Sequence, residues 1–395
     1  MLAALNPFRD KDNFQSIPIL SKEEAIENSS RLFAPRYIMK QIQGGLIENF
    51  TSGSTGKCME TFWDLAECRH SLTPLWFYRS KWYGIRPNDK MVYFFTTRNA
   101  GQSLQERVIT KNKYGFCKSN LNTEKLVKIY NEIVKIEPVW MIIQPSIAML
   151  LVEVKNQYAL KEIPSLRYME LTGEMLFNGC RKSIISAFPN CRIANQYGAN
   201  EVNSIAYECP EGNLHCMESN VYVEVVDVHN RNQPSGKEGN ILITSLQNHV
   251  MPLLRYKIGD RGILYSKEKP CRCGCKGNII ELISGRDNDW IYTEDGKKIT
   301  PYTFFRCIEN INLHFDFIVK QFQIVQKDYK KFDINLVLDY PIGRKFEEMF
   351  MYNLAQDELK DSTFQFHYYN CFIPDEQNGK LRCFISEIRN EFEEA

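Results

Sequence analysis

From about Tyr37 to Asn240 the chain alternates helix-patterned stretches with short runs of β-branched and aromatic residues, which points to a sheet covered by helices. The segment Thr123 to Ile136 places Leu126, Ile129, Tyr130, Ile133 and Val134 at helical spacing. Pro138 ends it, and Trp140-Met141-Ile142-Ile143 follows as a strand, as does Met91-Val92-Tyr93-Phe94-Phe95 upstream. Further on, Tyr222 to Val226 and Gly239 to Thr244 are expected strands on either side of the turn-rich Asn230 to Gly236, so a β-rich subdomain should close the large domain. After Gly285-Arg286 the pattern shortens to strands at Phe322 to Val325 and Asp333 to Leu338 and a helix at Phe346 to Leu354. The expectation is an α/β chain: a large N-terminal α/β domain over residues 1–287 and a small C-terminal α+β domain over 288–395.

Composition narrows the partners. A formal net charge of +1 across 395 residues, 25% of them charged, leaves no electrostatic bias toward nucleic acid. No apolar run reaches the roughly 18 residues of a membrane span, and the opening Met1 to Pro7 is too short for a secretory core, so a cytoplasmic protein is expected. Thirteen cysteines in such a compartment stay reduced rather than forming a disulfide framework.

Five short segments carry candidate chemistry. Thr51-Ser52-Gly53-Ser54-Thr55-Gly56-Lys57 combines glycines for a tight turn, hydroxyls and amides that donate to phosphate, and one cation. It departs from the Walker A pattern, which would need glycine at Thr51 and a hydroxyl at Cys58; its plain alternative is a flexible surface linker. In Gln196-Tyr197-Gly198-Ala199-Asn200-Glu201 a ring could stack on adenine, the glycine allows close approach, and the carboxylate suits Mg²⁺; a strand-end turn is the alternative. Asp260, in Arg255-Tyr256-Lys257-Ile258-Gly259-Asp260, is expected at a turn where it accepts from ribose hydroxyls. Gly285-Arg286-Asp287-Asn288-Asp289 and Pro374 to Lys380 follow, each read alone as an ordinary turn.

In this order the segments resemble the adenylate-forming superfamily of acyl-CoA synthetases, peptide-synthetase adenylation domains and luciferases, and within it the phenylacetate-CoA ligase-like family. The resemblance runs from Thr51 to Lys380. It implies an ATP-dependent ligase that activates a carboxylic acid as acyl-AMP, releases pyrophosphate, and transfers the acyl group to coenzyme A, with an amine acceptor as the alternative. The family ranks aryl and arylacetic acids ahead of short aliphatic ones. The resemblance assigns Ser52, Gly53, Ser54, Thr55, Gly56 and Lys57 to the β- and γ-phosphates, Glu201 to Mg²⁺, and Tyr197 and Gly198 to adenine. It places Gly173-Glu174 on the adenine side, Asp260 and Arg286 at the ribose, and Asn288 at a hinge, where asparagine replaces the usual residue. Lys380, on a small domain that rotates after pyrophosphate leaves, would contact the carboxylate and the α-phosphate. A carboxylate attacking an anionic phosphorus needs such cations. Phe95 to Ser103 lacks the glycine-rich aromatic stretch of phenylacetate enzymes, which argues against phenylacetate itself. A homodimer is left open.

Cys209, His215, Cys271 and Cys273 have the spacing of a closed, structural Zn²⁺ site, with Cys275 or Cys216 able to replace one ligand. The alternative is a set of unligated thiols. A scaffold that kept the fold and lost the chemistry is disfavoured by the joint presence of Lys57, Glu201, Asp260, Arg286 and Lys380. His70, His229, His249, His314 and His367 receive no role.

Overall fold

The computed structural model describes residues 14–50, 59–95, 107–119, 121–267, 270–286, 290–299, 301–355, 359–372 and 381–388. The chain divides into two compact units, Met1–Trp82 with Gln196–Ile283 and Tyr83–Asn195 with Ser284–Ala395.

The first unit is β-rich. Its strands lie in the order Val221–Val226, Glu238–Ser245, Tyr256–Tyr265, Ile279–Arg286, Leu214–Cys216, Asn203–Glu208 and Arg192–Ala199. A separate antiparallel pair, Leu46–Phe50 with Glu60–Asp64, brackets residues 51–58. One face of the long sheet is apolar: Val221, Val223, Val225, Ile241, Ile243 and Ile280 form a core with Met251 and Leu253 from the following loop. Successive strand residues point to opposite faces, so this core takes every second position.

The second unit opens with parallel strands. Met91–Phe95 pairs in parallel with Lys113–Cys117 on one side and Trp140–Ile143 on the other, Tyr168–Thr172 lies beyond, and Arg107–Thr110 adds an antiparallel edge. Helix Thr123–Ile136 begins where the Asn122 side chain accepts from Lys125 N–H, and ends at Glu137 in a left-handed conformation (φ 52°). It buries Leu126, Ile129, Tyr130, Ile133 and Ile136; each fully buried apolar side chain is worth about 1.5–3 kcal/mol. Helix Pro145–Gln157 starts with proline at its first turn and is buried along most of its length.

The C-terminal part of the same unit is a four-stranded sheet in the order Thr363–Tyr368, Lys331–Leu338, Val319–Asp328, Phe384–Ser386. Helices Tyr302–His314 and Arg344–Leu354 pack on it around Phe304, Phe305, Phe322, Phe332, Phe346 and Phe350. Helix Asn178–Ala187 lies so close to Val319–Asp328 that a Cβ at Gly179 would meet the Val319 carbonyl oxygen at 2.0 Å. Phe177 tilts against Phe322 with ring centroids 4.8 Å apart. The chain is thus a mixed α/β protein with a distinct C-terminal α+β portion.

Candidate active site

In the first unit the sheet brings two distant motifs together. Gln196 to Ala199 form the end of strand Arg192–Ala199 rather than a turn; the turn falls at Asn200 to Val202, where Val202 N–H donates to the Ala199 carbonyl. The pairing shifts between Tyr197 and Gly198, and a Cβ at Gly198 would meet the Asn203 carbonyl oxygen at 2.5 Å. Only glycine fits there. Asp260 also lies within a strand, Tyr256–Tyr265, and not at a turn. Asn240 pairs with Arg261 and Leu242 with Lys257, so Ile258, Gly259 and Asp260 together face Ile241 in a bulge. Gly259 supplies the φ of +88° that this requires.

The bulge aims Asp260 at Tyr197, whose hydroxyl donates to Asp260 Oδ2 at 2.8 Å. The Tyr197 ring packs against the core of the unit. Glu201 is almost fully buried, and Tyr256 donates its hydroxyl to Glu201 Oε1 at 3.3 Å. Burial and the Glu201 charge both raise the Tyr256 phenol, which therefore stays protonated as a donor. Trp63, in the strand after residues 51–58, donates its indole N–H to the Asn200 carbonyl at 3.0 Å and holds the Glu201 turn. A buried carboxylate of this kind is a hard oxygen donor suited to Mg²⁺.

The same unit gathers Cys209, His215, Cys271 and Cys273, whose sulfur and nitrogen atoms all lie within 4.8 Å of one another. Two similar turns present the cysteines: Gly212 N–H bonds the Cys209 carbonyl and Gly274 N–H the Cys271 carbonyl, each glycine at φ +79°. His215 stands fully buried on strand Leu214–Cys216, between Tyr207 and Ile279. With metal–sulfur bonds of about 2.3 Å and metal–nitrogen bonds of about 2.0–2.1 Å, a tetrahedron has S–S edges of roughly 3.8 Å and S–N edges of roughly 3.6 Å. Cys209 Sγ to Cys271 Sγ is 3.7 Å and Cys273 Sγ to His215 Nε2 is 3.3 Å, so the donor set fits such an ion. Burial pushes the Cys209 thiol up to about 12, which a bound cation would reverse. Cys216 and Cys275 stand outside the group: burial pushes Cys216 up to about 12, and Cys275 Sγ lies 3.5 Å from the Tyr78 hydroxyl.

In the second unit the carboxyl ends of the parallel strands gather Lys118, Ser119, Ser146, Gly173 and Glu174, the usual position for a ligand in open α/β sheets. The Glu174 carboxylate turns onto the start of helix Pro145–Gln157: Oε2 accepts Ser146 N–H at 2.9 Å and Oε1 accepts the Ser146 hydroxyl at 2.8 Å. Burial raises its pKa, and these donors oppose the shift. Ser52, Gly53, Ser54, Thr55, Gly56, Lys57, Asn288 and Lys380 lie outside the described residues, as does the side chain of Arg286.

Comparison with known proteins fits this arrangement. Residues 291–387 match the CapK C-terminal domain family. Protein CapK of Staphylococcus aureus is 24% identical over 390 residues, covering 95% of this chain and 81% of that one. Phenylacetate-coenzyme A ligase of Thermus thermophilus is 27% identical over 225 residues, covering 55% of this chain and about half, 48%, of that one. A 2-hydroxyisobutyryl-CoA ligase solved in its postadenylation state with 2-HIB-AMP superposes at a TM-score of 0.70 and 16% identity, covering 98% of this chain and 84% of that one. The chain shares the fold of these CoA ligases, and its sequence is similar to CapK and to phenylacetate-coenzyme A ligase. The shared fold comprises the α/β body and the separate C-terminal portion.

Two features had no sequence signal strong enough to find them. Arg255 heads the Asp260 segment yet is structural: its Nε donates to buried Glu224 at 3.2 Å and its Nη1 to the Gln15 and Ile17 carbonyls at 2.5 and 2.8 Å. Ser146 binds Glu174 across the parallel sheet; its one local signal was Pro145 opening a helix after a strand.

Proposed function

We propose that this protein joins a carboxylic acid to ATP as an acyl-AMP, releasing pyrophosphate, and then transfers the acyl group to coenzyme A. The Tyr197–Asp260 hydrogen bond carries the proposal, because it unites the expected adenine and ribose positions from strands far apart in sequence beside buried Glu201. Tyr197 and Gly198 are proposed for adenine, as are Gly173 and Glu174, and Asp260 and Arg286 are proposed for the ribose. Ser52 to Gly56 and Lys57 would hold the β- and γ-phosphates. Glu201 would hold Mg²⁺, which supplies positive charge against the phosphate oxygens. Lys380 would bring an ammonium to the carboxylate and the α-phosphate, lowering the repulsion between the two anions as the C–O–P bond forms. Residues 288–395 would act as the lid that carries it. Cys209, His215, Cys271 and Cys273 would hold a structural Zn²⁺ that pins two loops of the β-rich unit. A cytoplasmic location fits a substrate pool of ATP and coenzyme A, and no helix among the described residues is long and apolar enough to cross a membrane.

Acid-dependent ATP–pyrophosphate exchange across aryl, arylacetic, amino and aliphatic acids tests the first half. Exchange with one class, lost in Lys380→Ala and Glu201→Ala, supports it; folded protein that exchanges with no acid counts against it. Adding coenzyme A or amines to the active acid separates thioester from amide formation.

A further inference from the structure

We propose that Lys118 and Ser119 bind the carboxylate of the acid that is activated, at the carboxyl end of strand Lys113–Cys117. The inference rests on the adenylation reading above and names residues of the second unit that would receive the organic anion.

Lys118 and Ser119 leave their strand where its parallel neighbour also finishes. Cys117 pairs with Phe95, the last residue of Met91–Phe95, and Lys118 N–H extends the pairing by donating to the Phe95 carbonyl at 2.9 Å. Ligands of open α/β sheets bind at this end. Lysine and serine are mostly exposed in folded proteins, yet Lys118 and Ser119 are each only 8% exposed. Burying an ammonium is costly unless an anion meets it. Burial raises the pKa of Glu174 and the Lys118 charge works against that rise, so the ammonium lies in the field of this carboxylate. The Glu174 oxygens accept from Ser146 and from Leu381 N–H.

The Ser119 hydroxyl is buried and has no hydrogen-bond partner among the described residues. Its main chain, by contrast, is fixed: the Ser119 carbonyl accepts from the Lys125 ammonium at 2.7 Å, in the first turn of helix Thr123–Ile136. A buried hydroxyl without a partner is destabilising, and one held on a fixed backbone suits an oxygen supplied by a ligand. One charged donor and one neutral donor match the two oxygens of a carboxylate, whereas a triphosphate carries many more oxygens and needs correspondingly more donors. Val92 and Phe94 enter the helical core, so Tyr93 and Phe95 take the opposite face of the sheet, where both are half-buried. Their rings, with centroids 6.2 Å apart, offer an apolar surface to the body of an organic acid.

The experiment is steady-state ATP–pyrophosphate exchange by the full chain with benzoate, phenylacetate, glycine and acetate, in the parent, Lys118→Met, Lys118→Arg and Ser119→Ala. For the acid that the parent uses, Lys118→Met should raise KM about tenfold to a hundredfold, as for the loss of one charge-assisted hydrogen bond. The KM for Mg-ATP should stay within about twofold. Lys118→Arg keeps the charge and should recover most of the loss. Ser119→Ala should raise the acid KM about twofold to tenfold and leave the calorimetric Tm unchanged, because no described residue bonds to its hydroxyl. A rise in the KM for Mg-ATP instead assigns the pair to a phosphate and overturns the proposal. So does a folded Lys118→Met protein with an unchanged acid KM, whatever its Tm, since the lysine is then structural. In both cases the adenylation reading stands. A parent that exchanges with none of the acids removes that reading, and the proposal falls with it.

Discussion

Arg255→Met tests whether the Arg255-to-Asp260 segment contributes chemistry at its first residue or only architecture. The Arg255 and Glu224 side chains are 5% and 3% exposed, and Arg255 gives up one hydrogen bond to the carboxylate and two to the carbonyls of Gln15 and Ile17. The two carbonyls belong to an exposed or half-exposed stretch and can turn to water. Glu224 cannot, since its Oε1 already has no hydrogen-bond partner among the described residues. Removing one member of a buried ion pair costs about 3–5 kcal/mol, and a unit of this size loses about 2–4 °C in Tm per kcal/mol, so the variant should melt roughly 6–20 °C lower. Below its melting range, ATP–pyrophosphate exchange should stay within about threefold of the parent, because no substrate position depends on Arg255. Arg255→Met with Glu224→Leu should recover most of the lost stability, as buried pairs replaced by apolar residues commonly do. Calorimetric melting and exchange on the three proteins decide the matter. A double variant as unstable as the single one, or exchange lost in folded Arg255→Met, would refute the reasoning.

Other outcomes follow from the same structure. Gly198→Ala places a methyl 2.5 Å from the Asn203 carbonyl oxygen, so it should cost about 1–3 kcal/mol and weaken ATP binding severalfold, measurable by calorimetric melting and titration. Metal analysis of protein prepared without added zinc should give one zinc per chain; Cys273→Ser should lower that content, and a strong chelator should lower the parent's Tm. Glu174 has a folded pKa raised above 4.5 by burial, so the folded state holds its proton longer than the unfolded chain. Stability should therefore decline as pH rises above about 4.5 through the folded pKa, and Glu174→Gln should lack that component in denaturant titrations at several pH values; identical slopes would contradict it.

Much of the fold was legible where pattern and punctuation agreed. Helix Thr123–Ile136 has the predicted bounds because Asn122 caps it and Glu137 closes it ahead of Pro138. The metal-type cluster was legible because cysteines at short spacing beside left-handed glycines have few other uses. Asp260 was expected at a turn, since Gly-Asp is a turn signal, whereas a strand across the sheet uses the same glycine for a bulge. Gln196 to Ala199 read as a turn for a similar reason, and pairing with Asn203–Glu208 drew them into a strand. Arg255–Glu224 and Ser146–Glu174 stayed hidden because each joins residues about thirty positions apart, and no local periodicity encodes that register.

The indole that holds the Glu201 turn also gives the protein an optical reporter. Trp63 is completely shielded from solvent, and its N–H is bound to the residue before Glu201. Its emission should be blue-edged and sensitive to any movement of that carbonyl. Loading of the proposed magnesium–nucleotide position would then register as a change in intrinsic fluorescence in unlabelled protein, and Trp63→Phe would identify how much of the signal belongs to this ring.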